Sequence, residues 1–161
     1  MALLRKFEVS DWDEVCRIYR QGMDTNLATF ESEIPSYEKW DRGHFPFGRL
    51  VAEENGRVSG WVALSPVSAR ACFCGVAEVS IYVANEIKGS GVGSLLLQAE
   101  IEESEQNGIW TLQSAVMRNN GPSLALHGKC GFRVVGIREK IARDPAGCWR
   151  DTVLLERRSS R

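Results

Sequence analysis

Histidine is scarce in this chain of 161 residues: only His44 and His127 occur. No Cys or His pair stands at the short fixed interval that structural metal sites use. Cys72 and Cys74 are one residue apart, and Cys16, Cys130 and Cys148 are scattered, so no metal is expected. The thiols read as reduced and packed mostly as small apolar side chains, and Cys130, in KCGF, reads as core. Net charge is also nearly absent, with 20 Lys plus Arg against 21 Asp plus Glu, giving −1. That balance argues against nucleic acid or a membrane surface as partner. No apolar run approaches the ~18 residues of a membrane span, and the first residues hold no signal-peptide core, so a cytoplasmic protein is expected. Repeats and low-complexity linkers are missing too, which leaves one domain over residues 1–161.

Against these absences stands an ordinary globular composition, 43% hydrophobic and 25% charged. Leu3, Leu4 and Phe7 suggest a first strand. Ser10-Asp11-Trp12-Asp13 opens a helix whose apolar face runs through Trp12, Val15, Cys16, Ile18 and Tyr19. A second helix is predicted from Tyr37 to about Arg42. Strands at Arg49–Glu53 and Arg57–Ser65 flank Asn55-Gly56, a strong hairpin signal. Val76–Val83 is a strand, Ser94–Gln106 a helix with Leu95, Leu96, Ala99 and Ile101 on its broad apolar side, and Ile109–Val116 a strand. A short helix at Ser123–Lys129 precedes two strands, Phe132–Ile141 and Trp149–Glu156. Helices are too few for a doubly wound sheet. The order predicts an α+β fold: one central mixed, mostly antiparallel sheet with helices on both faces.

Residues 82–100, YVANEIKGSGVGSLLLQAE, place Gly89, Gly91 and Gly93 where a strand becomes a helix. Such a corner brings backbone amides to a helix N-terminus, a seat for an anion and often for phosphate. An ATP P-loop would need a Gly-Lys-Ser/Thr ending, but Ser94-Leu95 follows the last glycine and Lys88 precedes the first. A dinucleotide site needs G-x-G-x-x-G and an acidic residue about twenty positions on, and neither is present. Three glycines alone would equally serve a tight turn that holds nothing.

The surrounding residues are more specific. Lys88-Gly-Ser-Gly91-Val-Gly93 resembles the acyl-CoA pyrophosphate loop of the GNAT acetyltransferases, with Lys88 in place of the usual Gln or Arg. GWVALSP, AEVSIYV, NGPSLALHGKCGF, GCWRDTVLLE and LATFESE are similar, in order and spacing, to that superfamily's phosphinothricin acetyltransferase branch. The resemblance implies a GNAT fold, acetyl-CoA as cosubstrate, a small-molecule amine as acceptor, direct transfer and a homodimer. It implies that Lys88, Gly89, Ser90, Gly91, Val92, Gly93 and Ser94 hold the pyrophosphate. Backbone amides along Ile81, Tyr82 and Val83 would face the thioester and pantetheine arm, Asn120 would bind the pantetheine amides, and Ser123 would cap the next helix.

For the chemistry, the resemblance makes Glu78 the general base that frees the acceptor's lone pair and His127 a candidate acid for the departing thiolate. The bare residues leave a solvated strand Glu78, a structural His127 and a core Tyr82 open. For the acceptor, related sequences read S-P-F-R-P-R-x-x-Y where this chain has Ser65-Pro66-Val67-Ser68-Ala69-Arg70-Ala71-Cys72-Phe73. Arg70 is kept, Ser68 replaces the first arginine, and Phe73 replaces the tyrosine. An amino-acid-like acceptor paired with Arg70, with Phe73, Thr29 and Phe30 as pocket wall, is the expectation; Arg70 could equally be a surface residue. The leading function is N-acetylation of a small amino acid or analogue of the phosphinothricin, methionine sulfoximine or methionine sulfone type. A non-catalytic acyl-CoA sensor and a protein N-terminal acetyltransferase are the alternatives.

Overall fold

The computed structural model describes residues 2–161. Seven strands, β1 (Leu3–Lys6), β2 (Leu50–Glu54), β3 (Arg57–Pro66), β4 (Val76–Val83), β5 (Thr111–Met117), β6 (Arg133–Arg143) and β7 (Trp149–Arg158), form one sheet. Their order is β1-β2-β3-β4-β5-β7-β6, antiparallel throughout except for the β4–β5 pair. The helices are α1 (Trp12–Asp24), α2 (Tyr37–Gly43), α3 (Val92–Gln106) and α4 (Gly121–Lys129). This is the expected mixed α+β arrangement.

Asn55 and Gly56 both take positive φ, 53° and 75°, so the β2–β3 turn has the twist that two paired strands need. Strand β3 is buried on both faces, which its unbroken GWVAL run allows. Val62 and Leu64 face α3 and α4 in the larger core cluster, with Leu96, Leu97, Leu112, Phe132 and Leu155. Trp61 and Ala63 point the other way, into a cluster under α1 and α2 with Val15, Ile18 and Trp40.

Three expectations are corrected. Helix α3 starts at Val92, two residues early, because Gly91 in the left-handed region is its N-cap. Its buried side is Leu96, Leu97, Glu100, Ile101 and Ser104, while Leu95 is exposed; a glutamate inside the stripe hid the pattern. Of the five thiols only Cys130 is buried, and Cys72, Cys74 and Cys148 are exposed because they lie in loops or at their edges rather than under the helices.

Candidate active site

β4 and β5 pair over three positions only, Val76↔Thr111 to Glu78↔Gln113. Beyond them β4 stays on β3 as far as Gly60↔Val83, and β5 stays on β7 as far as Met117↔Thr152. The wedge between them opens into a cavity of about 990 Å³, with Glu78 where the strands part. Strand alternation decides which amides reach it. The Ala84 N–H bonds to Ser59 O on the β3 side, and Gly75 O faces β5, where it accepts from Trp110 and Thr111. The amides of Ile81 and Val83 therefore turn into the wedge with no strand opposite. The Tyr82 amide faces β3, which corrects its expected share in this row; its ring lines the cavity instead.

The glycine corner closes one end. Gly89 and Gly91 have φ of +84° and +90°, and a Cβ on either would meet nothing within 4 Å, so backbone conformation alone demands glycine. Gly93 serves packing: a Cβ there would lie 3.3 Å from Leu126 of α4. In α3 the Leu95 N–H is the first to reach a carbonyl, that of Gly91 at 3.2 Å, leaving the Val92, Gly93 and Ser94 amides as open donors. With Lys88 beside them and no acidic side chain in the first turn, they present an electropositive helix start suited to an anion. Lys88, Gly89, Gly91, Val92, Gly93 and Ser94 line the cavity. Ser90 does not; its N–H is tied to Ile87 O at 3.2 Å.

Glu78 is partly buried, and Gln113 Nε2 donates to its Oε1 at 3.4 Å. His127 is 2% exposed. Its Nδ1 lies 2.7 Å from the Ser123 carbonyl, which only accepts, so Nδ1 carries a proton. Burial holds the ring below its ordinary pKa and hence neutral, so Nε2 accepts from Ser114 Oγ at 2.9 Å. In this state Nε2 has no proton to give. Ser114, which no motif singled out, lines the cavity together with the His127 ring.

Asn120, not Ser123, caps α4: its Oδ1 accepts the Ser123 N–H at 3.3 Å, and Ser123 sits at the third helical position. Asn120 Nδ2 donates to Leu27 O at 3.2 Å, so this residue also holds the opposite wall. That wall, residues 25–31, is clamped again at Asn26. Asn26 Nδ2 donates to Asp144 Oδ2 at 3.0 Å, and Arg150 Nη1 donates to Asn26 O at 2.8 Å and to Asp144 at 3.1 Å. These partners are 118 and 124 residues apart, beyond any local sequence signal. Thr29 and Phe30 line the cavity as expected. Arg70 and Phe73 do not reach it. They pair with each other in the exposed β3–β4 loop, guanidinium 5.4 Å from the ring centre, because Pro66 ends β3 and a short turn at 71–73 carries the loop outward. Among the described residues no group of three or more His, Cys, Asp or Glu could hold a metal ion, and no helix is long and apolar enough to cross a membrane.

A parted parallel strand pair, an amide-rich helix start beside it and a carboxylate at the apex define an acyl-transfer fold. The acetyltransferase (GNAT) family model matches residues 12–132, and the chain belongs to that family. One relative, the phosphinothricin N-acetyltransferase of Alcaligenes faecalis, is 31% identical over 157 residues, 91% of this chain and 77% of the relative. The L-methionine sulfoximine/L-methionine sulfone acetyltransferase of Pseudomonas aeruginosa is 26% identical over 161 residues, 96% of this chain and 93% of its own. A solved GNAT superfamily phosphinothricin acetyltransferase from Sinorhizobium meliloti, in complex with acetyl-CoA, superposes with a TM-score of 0.87. It is 27% identical to this chain and covers 98% of it and 88% of the solved chain.

Proposed function

We propose that the protein moves the acetyl group of acetyl-CoA directly to the amino group of a small amino acid or analogue, of the kind its relatives are named for. The observation that carries this is the wedge itself, with open amides on one strand and Glu78 at its apex. Acetyl-CoA supplies the thioester; Lys88 and the α3 amides hold its diphosphate end. The Ile81 and Val83 amides donate to the carbonyl oxygen as charge develops there, a task suited to fixed donors. Glu78 takes the ammonium proton, directly or through water, so that nitrogen can form the new C–N bond as the C–S bond breaks. The departing sulfur takes the proton that the attacking nitrogen sheds as the C–N bond forms, since the Ser114 hydroxyl is turned to His127 Nε2. A sensor that only bound acyl-CoA would leave Glu78 unused.

Two further features belong to the same reading. The edge strand β6 exposes Val134, Val135, Ile137 and Ile141, with Trp149 of β7 nearby, and a second copy of the chain is the partner such an apolar edge suits. Exposed, unpaired Cys72, Cys74 and Cys148 suit the reducing cytoplasm. A thiol-release assay with amino acids and their sulfone, sulfoximine and phosphinate analogues tests the function. Release is expected with at least one acceptor, and Glu78→Gln should lower kcat about 10²–10⁴-fold. Undiminished turnover in that variant overturns the assignment of the base.

A further inference from the structure

Helix α1 runs past the turn that leads from β4 into the glycine corner, and two of its side chains grip that turn. Gln21 Oε1 accepts the Asn85 N–H at 2.8 Å, and Gln21 Nε2 donates to Glu86 Oε2 at 3.3 Å. One turn earlier on the helix, Arg17 Nη1 donates to Glu86 Oε1 at 2.9 Å, and its Nη2 donates to the Val58 carbonyl at 3.2 Å. The helix is a firm anchor. Val15 and Ile18 are 0% exposed, and a Cβ on Gly22 would come within 2.7 Å of two carbons of the Tyr82 ring, so α1 lies closely on β4. The gripped turn in turn carries the corner: the Lys88 N–H bonds to Asn85 O at 3.4 Å and the Ser90 N–H to Ile87 O at 3.2 Å. The bonds from α1 to Asn85 and Glu86 span 64 to 69 residues, so no local signal announces them.

We propose that Gln21 and Arg17 are positioning residues for the cosubstrate: they hold residues 85–88, and with them Lys88, in the form that receives the diphosphate. The inference rests on the reading that Lys88 and the α3 amides hold the diphosphate end of acetyl-CoA. Backbone geometry calls for such a hold. Asn85–Ile87 is a single short turn, too brief to be stable alone, and its first N–H has no carbonyl within the turn to reach. Gln21 supplies the missing acceptor. Charge calls for it as well. Glu86 stands two residues before Lys88, where a free carboxylate would repel the anion that Lys88 attracts. Arg17 and Gln21 each take up one of its oxygens, and Glu86 does not line the cavity although Ile87 and Lys88 do. Arg17 cancels the charge, and Gln21 keeps it turned away. The Arg17 and Glu86 side chains are 26% and 48% exposed, so their ion pair adds little to stability. Keeping a carboxylate from an anion seat is a task the pair can perform at the surface.

Calorimetric titration of the full chain with coenzyme A, at about 50 mM salt, reads the hold apart from turnover. Gln21→Ala should raise the Kd about fivefold. Arg17→Met keeps the stem, frees Glu86, and should also raise the Kd about fivefold. The Arg17→Met/Glu86→Gln double variant should return to within about twofold of the parent. The Arg17→Met loss relative to the parent should also fade at about 500 mM salt, which damage to packing would not do. In initial-rate kinetics the acetyl-CoA KM should follow the Kd while kcat stays. A Kd unmoved in either single variant, or an Arg17→Met loss that neither Glu86→Gln nor salt relieves, overturns the proposal. A parent chain that does not bind coenzyme A overturns the diphosphate reading together with it. The expected Kd pattern without thiol release to any acceptor fails the transfer reaction alone and leaves the hold standing.

Discussion

Replacing Glu100 with methionine should make the protein more stable, not less. Glu100 lies in the middle of α3 and is 0% exposed, and neither carboxylate oxygen has a hydrogen-bond partner. It is packed against backbone: a Cβ built on Gly48 would sit 2.7 Å from Oε1. Burial, with Glu103 adding repulsion, pushes its pKa well above the ordinary 4.5, so it is held in the core as an unpaired acid. A buried polar group without a partner costs about 1–3 kcal/mol. Methionine keeps the straight chain and helix propensity and removes the oxygens. Glu100→Met should therefore gain about 2 kcal/mol near pH 4.5, where the folded chain holds the acid protonated, and more at neutral pH. At a urea slope of ~2 kcal/mol per M, the unfolding midpoint moves up by about 1 M.

The pH dependence gives a second, sharper check. Because the folded-state pKa is raised, the parent protein's stability from this residue is complete below about pH 4.5. It falls as pH rises toward the folded value, by up to ~1.4 kcal/mol per pH unit. The variant lacks that slope, so the gain should widen from about pH 5 to about pH 7. His127 acts with the opposite sign: its lowered pKa makes stability fall as pH drops below about 6.5. It is present in both proteins and cancels from the difference. Urea titrations followed by tryptophan fluorescence at several pH values make the measurement. A variant no more stable than its parent, or a gain flat with pH, would refute the reasoning and mean that the Glu100 oxygens are satisfied in solution.

Two further outcomes follow from the site. Gly91→Ala forces an L-residue to φ +90° at the N-cap of α3, so it should raise the KM for acetyl-CoA about tenfold or more while the acceptor KM stays; equal KM values in initial-rate kinetics would refute the seat. Asp144→Ala frees Asn26 and Arg150 and loosens residues 25–31, so it should raise the acceptor KM about tenfold with little change in the acetyl-CoA KM. The reverse pattern would show that this clamp does not position the acceptor wall.

Much of the fold and the geometry of the glycine corner was legible in the sequence because their signals are local. Asn55-Gly56 announces its hairpin through the φ each residue tolerates, and Gly89 and Gly91 announce the sharp corner before α3 by the same rule. The alternation of β4 placed Glu78 and Tyr82 on one face. What failed had non-local causes. Glu100 inside the apolar stripe of α3 misdirected its buried side, because periodicity assumes that charge faces water. Asn120 caps α4 through the nearby Ser123 amide, but its bond to Leu27 reaches a segment 93 residues away, which no local signal announces. Arg70 fitted the family pattern, but the path of an exposed loop carries it away from the cavity.

The sequence by itself determined the order of elements, the turns and the amide-rich glycine corner, since each depends on backbone conformations available to neighbouring residues. Only the tertiary structure decided where β4 and β5 part, which two amides point into the gap, and that His127 is neutral and bonded to Ser114. It alone decided that Gln21 and Arg17 grip the turn before the glycine corner. These are matters of which distant side chains share a space and which donors are left unpaired there, and chain spacing does not encode them.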